Sequence, residues 1–260
     1  MAFDENALNV ERYALPIAKV LALCDALKPF VDSITKKIDL GDPLALKVYN
    51  ECLFLLLEKL RVVLPHGHLI PTAGIRRAFV DFIYQRKKPK YLIEIGTGPV
   101  AILSLLFANR GVSMVATEVD STSYDHAKAT ISENRTGSAI RLLKSSGGVF
   151  SWLPETDPSI FPVDGVVSFP PYYDEPAGLT DRNRGFLGTS SELYMGDTIF
   201  GSRLLREARE VYPKVKFVAL LWKNRESVDK TLHSDNTIFV NVIAGTRKRI
   251  FTLTDLVNLS

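Results

Sequence analysis

The chain has 260 residues, 46% of them apolar and 23% charged, with a formal net charge of +3. This balance suits one large folded domain, or a domain with a small extension, and argues against a disordered chain. The charge is too small to mark nucleic-acid binding by itself, and no unbroken apolar run is long enough for a membrane span. The first residues, "MAFDENALNVERY", lack the basic start and apolar stretch of a secretory leader, so a cytoplasmic protein is expected.

Residues 8 to 64 carry helical periodicity, punctuated by Pro16 and Pro29. Asp42 before Pro43 is a good helix start, with proline in the first turn. "CLFLLLEKLRVVL" is interrupted by Glu58, Lys59 and Arg61 and reads as a buried helix. Cys24 and Cys52 lie inside apolar helical patterns and are expected to be buried thiols. No Cys/His spacing suggests zinc, and His66 and His68 read as loop residues, so no metal is expected. A second helix is expected from about Thr72 to Gln85.

From Lys90 the texture changes. "YLIEIG", "VSMVATEVD", "AIRLLKS", "VDGVVSF" and "KVKFVALLWK" read as buried strands. "VAILSLLFANR", "SYDHAKATISENR" and "GDTIFGSRLLREAREVY" read as the helices between them. Alternation of this kind implies a parallel sheet covered on both faces. "NTIFVNVI" and "RKRIFTLTDL", joined by "AGT", read as a closing antiparallel hairpin. By fold-level analogy this is the layout of class I, Rossmann-like methyltransferases: an α/β fold with a mostly parallel seven-stranded sheet. The expected division is a helical N-terminal subdomain over residues 1–70 and a methyltransferase domain over 71–260. Basic clusters at Arg76 and Arg77, Arg86 to Lys90, Arg182 with Arg184, and Arg247 to Arg249 would form a phosphate-binding stripe if several shared a face.

The first strand runs into "EIGTGPVA". Gly96, Gly98 and Ala101 fit G-x-G-x-x-A, where glycines let the backbone turn sharply and approach a ligand closely. About twenty residues on, Glu118 stands at the tip of the second strand, where a carboxylate can accept both ribose hydroxyls of an adenosine. The loop alone serves a nicotinamide dinucleotide or S-adenosyl-L-methionine equally. Glu94 leans toward the latter, facing either the ligand's ammonium group or the amides of the loop. The fourth strand ends in "SFPPYYDE", Ser168 to Glu175. A dehydrogenase has no reason for Pro-Pro-Tyr there, whereas a methyltransferase acting on amines does.

At this turn the chain resembles methyltransferases of exocyclic amines, which carry Asn/Asp-Pro-Pro-aromatic after the fourth strand. "IDLGDPLALKVYNECLF", "HLIPTAGIRRAFVDFI", "GTSSELYMGD", "LLWKNRESVDKTL" and "AGTRKRIFTL" look like segments of the adenine-N6 RNA methyltransferases of bacterial large-subunit ribosomal RNA and spliceosomal small nuclear RNA. The resemblance covers about Asp39 to Asp255, with "LLWKNRESVDKTL" and "AGTRKRIFTL" falling on the family's last strands. It implies S-adenosyl-L-methionine as cofactor and RNA as substrate. Arg76 would reach the cofactor's carboxylate, with Arg77 beside it simply solvated. Glu94, Gly96, Gly98 and Glu118 would contact the cofactor, and the segment from Ser145 to Val149 falls where its adenine is gripped. Phe169, Pro170, Pro171 and Tyr172 would form the catalytic turn. The Pro170 carbonyl would face the amine, and Tyr172 would stack on the base, a contact typically worth roughly 1–3 kcal/mol. Lys36 and Lys37 on the N-terminal helices would grip RNA.

The departure is Phe169, which stands where the family has asparagine. A phenylalanine side chain cannot accept a hydrogen bond from the target amine. Ser168, Asp174 or a water could replace that acceptor. Otherwise the substrate is a small molecule or protein side chain, or the protein binds RNA as a scaffold without efficient transfer.

Overall fold

The computed structural model describes residues 3–66, 68–145, 163–170, 196–211, 215–232, 236–244 and 247–256. Eight strands form one sheet in the order β1-β7-β8-β6-β5-β2-β3-β4. They are β1 Phe3–Asn9, β2 Tyr91–Ile95, β3 Ser113–Glu118, β4 Ile140–Lys144, β5 Gly165–Ser168, β6 Phe217–Trp222, β7 Thr237–Ala244 and β8 Arg247–Asp255. Strands β4, β3, β2, β5 and β6 run parallel, and β8 enters antiparallel between β6 and β7. Those seven are the expected sheet. The eighth, β1, corrects the expectation of an N-terminal segment without strands: it pairs parallel with β7, Phe3 beside Phe239 and Leu8 beside Val242. "FDENALN" has little strand propensity of its own, and the unpaired edge of β7 supplies the template.

The α-helices among the described residues are α1 Ile17–Leu23, α2 Pro43–Glu58, α3 Ala73–Lys87, α4 Ile102–Ala108, α5 Ser121–Glu133, α6 Asp197–Val211 and α7 Arg225–Thr231. Helix α7 corrects one reading, since "RESVDKT" lies on a helix and not in the last strands. Successive strand residues point to opposite faces, and this divides the core in two. Leu92, Val167, Ala219 and Phe251 pack under α2, α3 and α4, together with Val10, Val20 and Leu27 of the N-terminal segment. Ile93, Val166, Val218 and Leu220 pack under α6 and α7. The N-terminal residues thus share the core of the sheet.

Side-chain hydrogen bonds fix the starts of α3 and α2. Asn50 of α2, fully buried, accepts from the Ala73 N–H at 2.8 Å and donates to the Leu46 carbonyl at 2.9 Å. Asp42 caps α2 by accepting from the Leu44 N–H at 2.8 Å, and Pro43 opens the helix as expected. Because α3 leads directly into the start of β2, it runs antiparallel to the parallel strands. Its first turn, with Arg76, therefore lies at their carboxyl edge.

The cysteines are not thiols. Cys24 and Cys52 form a disulfide with Cα atoms 6.2 Å apart. Packing of α1 on α2 brings them together, a proximity that helical periodicity in the sequence cannot reveal. Lys36 and Lys37 are exposed but not helical: they sit in a turn closed by the Val31–Ile38 bridge, with Asp32 accepting from the Ile34 and Thr35 amides.

Candidate cofactor and substrate site

The glycine loop leaves β2 at Ile95 and doubles back before α4. Gly96 and Gly98 have φ of +70° and +67°, a region that a Cβ would strain. Among the described residues the space above both is open, since a Cβ at either would meet nothing of them within 4 Å. The Thr97 N–H donates to the Thr117 carbonyl at 2.8 Å, and the Gly98 N–H donates to Glu118 Oε2 at 2.8 Å. Glu118 Oε1 accepts the amides of Val119 and Asp120 at 2.8 and 2.9 Å. The two sequence features twenty residues apart are thus joined directly at adjacent strand ends. Left-handed glycines beside a carboxylate are the elements that could hold a ligand with a vicinal diol and a flat base; Glu118 itself is 4% exposed, with both oxygens accepting loop amides.

Glu94 is fully buried beneath this loop. Its Oε2 accepts from the Thr97 hydroxyl at 2.8 Å, the Ser104 N–H at 3.0 Å and the Ser104 hydroxyl at 2.5 Å. Of the two roles open to it, the structure displays the bracing of the loop and α4. Burial pushes its carboxyl up to about 7, against these hydrogen bonds, and the nearby Glu118 charge adds to the rise. Thr97, Ser104 and Thr117 are parts of the site that the sequence reading missed. Their only signal is hydroxyl residues spaced around a glycine turn. Val119, 46% exposed beside Glu118, is another: an apolar side chain left open at a strand tip can pack on a flat ring.

The proline turn starts beside the loop. The Ser168 hydroxyl donates to the Ile95 carbonyl at 2.7 Å, tying the end of β5 to the end of β2. Ser168 is 1% exposed, so it does not present a replacement acceptor to a substrate. Phe169 turns toward α3: its ring meets the Phe79 ring edge-on at 4.9 Å, and the Arg76 guanidinium lies over it at 5.0 Å. Pro170 is buried. Pro171, Tyr172 and Asp174 lie outside the described residues, as do Val149, Arg182, Arg184 and most of "GTSSELYMGD". Ser145, the start of the expected adenine grip, is buried at the end of β4, and its N–H donates to the Glu118 carbonyl at 2.8 Å. Asp197 reaches across from α6, accepting from the Lys223 N–H and the Ser227 hydroxyl.

The two arginines of α3 separate. Arg76 faces Phe169, whereas Arg77 is not simply solvated. It pairs with Glu58 at 2.5 Å and donates to the Tyr13 carbonyl, and Arg110 joins the same group through Glu58 and Asp81. The basic clusters also divide. Arg86, Lys88 and Lys90 surround the start of β2, at the edge opposite the site. Lys248 and Arg249 open β8 beside the end of β6, where Arg249 donates to the Lys223 carbonyl at 3.4 Å. Among the described residues no cluster of three or more metal-ligating side chains occurs, and no helix is long and apolar enough to cross a membrane.

The chain is similar to known proteins in sequence and in fold. MJ0046 of Methanocaldococcus jannaschii, a protein named for methyltransferase activity, is 29% identical over 212 residues, covering 75% of this chain and 79% of that protein. The RNA N(6)-adenosine-methyltransferase mettl16 of Danio rerio is 33% identical over 90 residues, covering 33% of this chain and 19% of that protein. The human METTL16 catalytic domain, solved with the MAT2A 3′UTR hairpin 1, superposes with a TM-score of 0.78 at 20% identity, over 93% of this chain and 91% of that one. Its N-terminal domain with SAH gives 0.73 at 18% identity, over 91% and 92%. At these identities the human structures establish the fold. A family model described as RNA methyltransferase matches residues 11–230, and by that match the chain belongs to the RNA methyltransferase family.

Proposed function

We propose that this protein transfers a methyl group from S-adenosyl-L-methionine to an exocyclic amine in structured RNA, with adenine N6 as the acceptor. The observation that carries the reading is the joined pair of Gly98 and Glu118 under an open cradle, beside a proline turn at the mouth of β5. The cofactor, when bound, supplies a methyl group on a sulfonium: as the N–C bond forms the S–C bond breaks, a neutral thioether departs and the amine's proton passes to solvent. Glu118 would hold the ribose hydroxyls, Gly96 and Gly98 would let the backbone approach, and Arg76 would meet the carboxylate. The Pro170 carbonyl would accept an N–H of the amine, and Tyr172 would stack on the base. The protein's contribution is mostly positioning, since the amine needs little deprotonation before attack. A base splayed out of its helix is required for such access.

The RNA part of the reading is supported by the family and by Lys223, Lys248 and Arg249 on the same edge as the cradle. Ribosomal RNA is one structured RNA of suitable kind. The test is incubation with radiolabelled cofactor and cellular RNA, followed by digestion to nucleosides. Label in N6-methyladenosine is expected. Label only in protein or small molecules refutes the RNA substrate.

A second reading, an RNA-binding scaffold with weak or no transfer, has one observation in its favour. Phe169 is turned into α3 and the Ser168 hydroxyl is committed to Ile95, so neither side chain replaces the family asparagine. Tight RNA binding with no labelled nucleoside would select it.

A further inference from the structure

Four aromatic rings run from the mouth of β5 into the core. Phe169 meets Phe79 edge-on at 4.9 Å, Phe79 meets Phe251 of β8 edge-on at 5.1 Å, and Phe251 meets Phe82 at 5.8 Å. Phe79 and Phe251 are completely buried and Phe82 nearly so. An arginine caps each end of the column. Arg86 covers Phe82 at 4.4 Å, and Arg76 covers Phe169 at 5.0 Å. The first cap stands at the amino edge of the sheet and the second at the carboxyl edge, beside the glycine loop.

We infer that Phe169 is a positioning residue whose ring is a shelf for the Arg76 guanidinium, aiming it at the carboxylate of the bound cofactor. The inference rests on the methyltransferase reading above. The physical basis is that a guanidinium is planar, rigid and weakly hydrated, so it lies flat on an aromatic face and keeps its edge donors in a fixed direction. The shelf is itself held still, because Phe79 and Phe251 behind it are packed on all sides. An asparagine at 169 cannot provide such a face. The same ring links the arginine to the turn, since Phe169 and Pro170 are consecutive in the chain. Occupancy of the cofactor's carboxylate subsite and the placement of the catalytic carbonyl therefore share one mechanical element.

Calorimetry with two nucleosides tests this. S-adenosylhomocysteine carries the amino-acid carboxylate, and 5′-methylthioadenosine keeps the adenosine and sulfur but lacks that tail. Phe169→Leu retains an apolar contact with Phe79 but removes the π face. It is expected to weaken S-adenosylhomocysteine about 5- to 10-fold, on the usual scale of a partly desolvated cation–π contact. Binding of 5′-methylthioadenosine is expected to stay within about 2-fold of the wild type, since that ligand presents no carboxylate to Arg76. Phe169→Tyr, which keeps the face, restores S-adenosylhomocysteine binding. In the background Arg76→Gln, adding Phe169→Leu costs nothing more, because the shelf has nothing to hold. Equal losses for both ligands in Phe169→Leu would mean general damage to the site and would overturn the inference. So would unchanged binding of S-adenosylhomocysteine. Failure of the wild type to bind either nucleoside would instead strike the methyltransferase reading, and the inference with it.

Discussion

Replacing Glu94 by glutamine separates its electrostatic role from its packing. The carboxyl is buried under the glycine loop, and burial raises it from an ordinary 4.5 to about 7 in the folded chain. Unfolded, the same group would ionise near the ordinary value. Between those two values the folded protein therefore holds a proton that the unfolded chain has released, so stability falls as pH rises through the window. One pKa unit corresponds to about 1.4 kcal/mol, so the full window is worth roughly 3 kcal/mol, of which roughly 2.5 lies between pH 5 and pH 8. Glutamine mimics the protonated acid. Its carbonyl oxygen can still accept from the Ser104 amide and hydroxyl, and it does not ionise. Urea unfolding of wild type and Glu94→Gln at several pH values isolates this contribution together with its coupling to Glu118, because the titrating groups that do not interact with Glu94 cancel in the difference. The variant is expected to gain roughly 2.5 kcal/mol on the wild type between pH 5 and pH 8. For a chain of this size that is a shift of roughly 5–10 °C in relative melting temperature. Parallel stability profiles would refute the reasoning and would show that the three hydrogen bonds to Oε2 fully offset the loss of solvation.

Three further perturbations address the fold and the edge. Gly201→Ala sets a methyl group into the ring of Trp222 where α6 crosses β6, and it should cost roughly 1–3 kcal/mol in denaturant unfolding. Joint replacement of Cys24 and Cys52 by serine opens a cross-link between positions 28 residues apart, worth roughly 3.5 kcal/mol by loop entropy. The same loss should appear in the wild type with reductant and be absent in the variant. Replacing Lys223, Lys248 and Arg249 by alanine should weaken RNA binding and flatten its dependence on salt, by about 0.7 in the log–log slope for each phosphate that is no longer neutralised. Alanine at Lys88 and Lys90, on the opposite sheet edge, should leave that slope unchanged; equal effects from both sets would remove the case for a directional RNA face.

The parts of the candidate site that are legible in the sequence are those built from the backbone. Left-handed glycines and an acid at a strand tip have fixed spacing, because strand length and turn geometry set it. Gly98 and Glu118 accordingly meet as their separation implies. The strands β2 to β8 are legible for a related reason: burial on both faces demands continuous apolar runs, and glycine, proline and acids stop them. What escapes is tertiary pairing. Strand β1 forms because a neighbour offers an edge, the disulfide forms because two helices pack, and Arg77 is paired because Glu58 arrives from another helix. None of these leaves a local pattern.

Phe169 joins the two cases. In sequence it is a departure, an aromatic where an amide acceptor is expected, and taken alone it suggests that restoring asparagine would raise activity. Its surroundings reverse the sign. An asparagine there would set its amide against Phe79 and beneath Arg76, in a half-buried place built for a ring. Removal of the ring packing and poor solvation of the amide together should cost roughly 2 kcal/mol. Arg76 would also lose its support. Phe169→Asn is thus expected to lower both melting temperature and S-adenosylhomocysteine affinity. A variant that kept its stability and methylated adenine faster would show that the side chain at 169 can swing out to the substrate, and the aromatic column would then be incidental to catalysis.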